Sequence, residues 1–181
     1  MKRIISTVIF YLCIFTVIAQ SEKPKTGPII NDYGASFAIK KAELKLEKGK
    51  EYKVIFDIYT DRSKEGQENP LINTVARFLN MHGQQGIKEE NMKVVVILHG
   101  AATKSALSMK AYEKKYDAKN PNTELIEALQ KKDVEIFVCG QSLLFNKFDL
   151  EDVSKNVKVS LSALTALVEY QSNGYQIINF N

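Results

Sequence analysis

Tryptophan is absent from the 181 residues, and histidine and cysteine occur only twice each. A Cys/His zinc cage usually takes four such ligands from one chain, and only His82, His99 and Cys139 remain once Cys13 leaves with an N-terminal signal, so no metal is expected. The chain also lacks G-x-x-x-x-G-K-[ST], G-x-G-x-x-G and G-x-S-x-G. Without the first two there is no sequence support for a loop that cradles nucleotide phosphates, and no cofactor is expected. Without the third, Ser105 and Ser142 have no nucleophile elbow, which argues against a serine hydrolase. Four prolines and nine glycines are too few for a linker-rich chain. No internal repeat or low-complexity tract is visible. A block of like charge is missing too: lysines and glutamates are interspersed and the net charge is only +4. The surface therefore reads as ordinarily solvated, and no nucleic acid is expected as a partner.

What is present is enough apolar material, 45% of the residues, for one domain with a core. The start of the chain is set apart from it. Lys2-Arg3 forms a basic region, residues 4–18 an apolar one, and Val17-Ile18-Ala19 a small-residue cleavage site. Residues 1–19 are read as an export signal, 20–36 as an irregular lead-in, and 37–181 as a single α/β domain, exported and periplasmic. The alternative is an uncleaved anchor, but the apolar run is shorter than the ~20 residues a bilayer span needs and contains Ser6, Thr7 and Thr16. After cleavage no membrane span is expected. A lipoprotein signal at Cys13 would need a small residue where Tyr11-Leu12 stands. Cleavage removes Cys13 and leaves Cys139 without an internal disulfide partner, as an inert core thiol, an intermolecular one or a reactive one.

Along the domain, residues 38–50 fit either an edge strand or a short amphipathic helix. Residues 52–59 alternate as a core strand, with Val54, Phe56 and Ile58 on one face. Asn69-Pro70 opens a helix that Gly83 ends, with Leu71, Val75, Phe78, Leu79 and His82 on one face. Residues 92–98 form a continuous apolar strand, buried on both sides. A helix is expected over 101–110 starting near Thr103, then a charged connection over 112–119. Asn120-Pro121 opens a further helix whose Leu125, Ile126 and Leu129 face inward. A strand beginning near Val134 runs into Cys139, and 142–152 reads as loop with a helical turn. A helix over 160–172 carries Leu161, Leu164, Leu167 and Val168 on one face, and 175–178 is a last strand. Alternating strands and helices imply a three-layer Rossmann-like sandwich with a mainly parallel sheet.

The stretch VEIFVCGQS, residues 134–142, organises this pattern. It places Cys139 at the carboxyl end of a strand, where open α/β sheets collect ligands. A second buried strand ends in His99-Gly100, at the same edge of a parallel sheet. An imidazole there, or backbone N–H groups of Gly140, Gln141 and Ser142, would favour the thiolate. His99 is equally readable as a histidine that closes its strand by hydrogen bonds, and Gln141 and Ser142 as loop caps. His82 reads as structural.

The segments HGAATKSAL, NPNTELIEAL, VEIFVCGQSLLF and VKVSLSALTALVEYQSNGY together resemble the DsrE/DsrF-like sulfur-relay family, in its exported single-domain branch. The resemblance covers about residues 52–178. It implies a small Rossmann-like sandwich, assembly into a homo-oligomer (trimer or hexamer), and a cysteine that carries sulfur as a persulfide, here Cys139. On this reading the protein is a thiol-based sulfur carrier or transferase with an unknown sulfur donor and acceptor, and His99, Gly100, Gly140, Gln141 and Ser142 line the binding site. The alternative is a non-catalytic, oligomeric small-molecule or protein-binding module with an envelope partner. A third possibility makes Cys139 buried and unreactive.

Overall fold

The structure, a computed structural model, describes residues 23–64 and 66–180. The expected export signal lies outside the described residues. Five strands, β1 (Tyr52–Ile58), β2 (Met92–Leu98), β3 (Glu135–Cys139), β4 (Lys158–Ser160) and β5 (Gln176–Asn179), form one sheet in the order β4-β3-β2-β1-β5. Every pairing is parallel. Helices α1 (Pro70–Gln84), α2 (Met109–Tyr116), α3 (Thr123–Gln130), α4 (Gly140–Phe145) and α5 (Ala163–Ser172) fill the connections. From β1 to β4 the chain steps in one direction across the sheet, and the crossovers carrying α1 to α3 lie on one face. The connection from β4 back to β5 steps the other way. The right-handed crossover rule then puts α5 on the opposite face.

The two faces are unequal. Val54, Phe56 and Ile58 of β1, Val94, Val96 and Leu98 of β2, and Ile136 and Val138 of β3 meet Ile72, Val75, Leu79, Leu125, Ile126 and Leu129 in the main core. The alternate residues Ile55, Val95, Ile97 and Cys139 meet only α5, through Ala163 and Ala166, with Phe137, Leu167, Tyr170 and Tyr175 at the edge. Burial, and then the Glu135 carboxylate, push the Tyr170 phenol up to about 12.

Several sequence expectations are corrected here. Residues 38–50 form neither strand nor helix but turns, with Ile39 and Leu44 pointing outward. The helix expected over 101–110 is a tight 3-10 stretch, Gly100–Ala106. The segment read as a charged connection holds α2 instead, because the Ser108 side chain accepts the Ala111 N–H and so caps a new helix at Met109. α4 starts at Gly140, with no loop after the strand. β4 is a three-residue edge strand, too short to show a period. α5 begins at Ala163 behind a Ser162 cap, and its small residues face the sheet, while Leu161, Leu164 and Val168 are exposed.

Three buried asparagines tie the loops at the carboxyl edge of the sheet. Asn69 caps α1 by accepting the Leu71 N–H at 3.0 Å, donates to the Thr60 carbonyl at 3.1 Å, and sends its own backbone N–H to Asn122 Oδ1 at 2.7 Å. The Asn122 N–H donates to Asn120 Oδ1 at 3.0 Å, and Asn120 Nδ2 donates to the carbonyls of Ser105 and Leu107 at 3.1 and 2.8 Å. The two Asn-Pro pairs thus differ: Asn69 caps its helix, whereas Asn120 binds neighbouring loops. Below them, Asn80 Oδ1 accepts the N–H groups of Ile29 and Ile30, holding residues 29–34 against α1. Among the described residues no helix is long and apolar enough to cross a membrane.

Candidate functional site

Leu98 of β2 pairs with Val138 of β3, so the next residues, His99 and Cys139, end neighbouring strands on the same face. Cys139 is 4% exposed. It is the N-cap of α4, and its Sγ accepts the Ser142 N–H at 3.4 Å. Gly140 allows this sharp entry: a Cβ there would stand 2.9 Å from the Ser160 carbonyl of β4.

Burial alone pushes the Cys139 thiol up, because a thiolate loses hydration in a closed site. Hydrogen bonds from the Ser142 hydroxyl and from the backbone N–H groups of Ser142, Ala163 and Gln141 outweigh it, and the thiol lies below its ordinary value. The sulfur sits between the first turns of α4 and α5, where unpaired N–H groups favour negative charge. Ser142 is itself held, since its Oγ accepts the Gly100 N–H at 3.2 Å. Gly100 has φ +54°, and a Cβ there would meet the Tyr59 ring at 2.5 Å, so the turn needs glycine. Gln141 donates to the Leu161 carbonyl at 3.4 Å, tying α4 to the start of α5.

The structure therefore brings Cys139, Gly140, Gln141, Ser142 and Gly100 together. The His99 imidazole goes elsewhere. Its Nε2 lies 2.7 Å from Asp57 Oδ1, and its ring leans on Tyr59 at 5.1 Å between centroids. Both His99 and Asp57 are partly open to solvent. The groups that favour the thiolate are amides and a hydroxyl, not this imidazole.

The profile of the DsrE/DsrF-like family matches residues 53–180, which span the sheet and both of these clusters. This chain belongs to the DsrE/DsrF-like family. No curated protein sequence matches it. Among solved structures, it is similar to a protein of unknown function, MTH1491 from Methanobacterium thermoautotrophicum. Their TM-score is 0.52 at 19% identity, over 72% of this chain and all of that one (100%). The ychN protein of E. coli has a TM-score of 0.48 at 13% identity, over 71% of this chain and 99% of that one. The first likeness agrees with the Rossmann-like fold.

Sequence reasoning missed two contributors. Asp57 could have been noticed as a lone carboxylate one place before the end of a core strand, on the face it shares with Ile55. The Ala163 amide carried no signal, because a backbone N–H is independent of residue type and its position depends on how α5 returns over the sheet.

Proposed function

We propose that this DsrE/DsrF-like protein is an exported, periplasmic sulfur carrier that holds a sulfane sulfur on Cys139 as a persulfide and works as a homo-oligomer, a trimer or hexamer. The observation that supports it is the set of donors around Sγ: a buried sulfur is stabilised as an anion by one hydroxyl and three amides. That environment suits a thiolate attacking a sulfane sulfur at neutral pH. Family membership supports sulfur chemistry in the broad sense. To test it, the folded chain is incubated with a persulfide donor and read by intact mass. A gain of about 32 Da that reductant removes and Cys139→Ser abolishes is expected. A gain retained by the mutant would overturn the assignment.

The second reading, a binding module without turnover, draws on a different observation. Leu144 and Phe145 of α4, Leu161 just before α5, and Leu164 and Val168 of α5 are all exposed, on the two helices whose first turns flank the thiol. An apolar belt of this kind marks a contact surface, either for another copy of the chain or for an envelope protein. Ligand-dependent thermal stabilisation that survives Cys139→Ser would favour this reading.

A further inference from the structure

Resting on the carrier reading above, we propose that His99 is the acid that protonates the departing sulfur of the donor, with Asp57 as its positioning residue. A base that activates a thiol must touch it. An acid for the leaving group must not, because displacement at sulfur is in line: attacking, central and leaving sulfurs lie along one axis. With S–S bonds near 2 Å, the leaving sulfur stands roughly 4 Å or more from the attacking one. Neighbouring strands are spaced by about 4.8 Å, so one strand's width separates the two tasks. Cys139 ends β3, and His99 ends β2 on the same face with its ring drawn on towards Asp57 of β1. The thiol, meanwhile, is supported by its own amides and the Ser142 hydroxyl, which leaves the imidazole for another partner.

The step balances without an oxidant or reductant. The Cys139 thiolate attacks the outer sulfur of a donor persulfide, R–S–SH. A Cys139 S–S bond forms as the donor S–S bond breaks, and the electron pair leaves on R–S⁻. The imidazolium, with Nε2–H donating to Asp57 Oδ1, gives its Nδ1 proton to R–S⁻. The products are Cys139–S–SH, R–SH and a neutral imidazole, which solvent reprotonates. Asp57 fixes which nitrogen faces the donor. The tilted Tyr59 ring limits rotation on the other side.

Small disulfides probe the same displacement, because they too expel a thiolate. Cys139 of the folded chain is reacted with 4,4′-dithiodipyridine, whose leaving group departs unaided, and with 2-hydroxyethyl disulfide, whose alkyl thiolate leaves poorly. We expect His99→Gln to slow the alkyl disulfide by about tenfold or more while leaving the pyridyl disulfide within about twofold. Asp57→Asn should change the ratio of the two rates in the same direction. Equal slowing of both reagents, or an unchanged ratio, in the two variants would make the pair structural and overturn the proposal. Circular dichroism and the urea midpoint of each variant establish that it is folded under the assay conditions. If the wild-type thiol reacts with neither reagent until unfolded, the carrier reading itself fails and this assignment falls with it. A reactive wild-type thiol with an unchanged ratio removes the acid alone.

Discussion

The Gly100 amide donates to the Ser142 hydroxyl at 3.2 Å, which joins the turn after the second strand to the helix that starts at the thiol. The hydroxyl hydrogen is then left to point at Cys139. A backbone group on one strand end thereby tunes a sulfur on the next.

Ser142→Ala removes that hydroxyl. The midpoint of Cys139 alkylation against pH should rise towards the ~8.5 of a free thiol, since one of the groups holding it down is gone. A midpoint that stays put would assign the effect to the amides alone.

The same thiol links stability to pH. Its folded value is depressed, so its contribution is present above the unfolded value near ~8.5 and fades as pH falls through the folded one. Urea midpoints of the wild type minus those of Cys139→Ser should therefore increase with pH across this window. A flat difference would mean the sulfur titrates alike in both states.

His82 is a half-buried base. Burial lowers it, opposed by its bond to the Phe78 carbonyl at 2.9 Å, and its ring packs 3.8 Å from that of Phe78. Its folded value lies below the unfolded one near ~6.5, so the stability it contributes is present above that pH and is lost as pH falls. Thermal midpoints at pH 5 and pH 7 should differ less in His82→Gln than in the wild type. An equal difference would place the acid sensitivity elsewhere.

Asn120→Ala should cost roughly 2–4 kcal/mol, measured by urea unfolding, because it strands the buried carbonyls of Ser105 and Leu107 and the Asn122 N–H. A loss under about 0.5 kcal/mol, the scale of a neutral surface change, would show that water replaces the amide.

Leu164 is 77% exposed on α5. Leu164→Glu should leave the fold within about 0.5 kcal/mol while lowering the mass seen by light scattering, as like charges meet across the apolar belt. An unchanged mass would put any subunit contact on another face.

Much of the architecture was legible beforehand where a local signal was strong. The apolar run ending at Leu98 and the Asn69-Pro70 start of α1 needed no tertiary information, because burial on both faces and capping are written in residue type. α5 shows the converse. Leu161, Leu164, Leu167 and Val168 read as one inward stripe in sequence, yet of these Leu167 alone packs at the sheet, beside Ala163 and Ala166, whose small side chains let the helix approach. Period finds a stripe but does not say which side is covered. The cysteine and its following turn were found as a cluster. The partner of His99 was not, since Asp57 lies 42 residues away and only the β1–β2 register brings them together.

The asparagine chain around Asn69, Asn122 and Asn120 has a consequence for the medium in which the site works. Primary amides have no proton to gain or lose in the ordinary range, and their short contacts are not weakened by dissolved ions as surface charge pairs are. These neutral links fasten the loops beyond β1 and β2 to the start of α3, beside an ion pair that joins the same two loops, Lys104 Nζ to the buried Asp61 carboxylate at 3.1 Å. Acidification or a rise in salt therefore acts on these loops through the Lys104–Asp61 pair, while the asparagine links keep their strength.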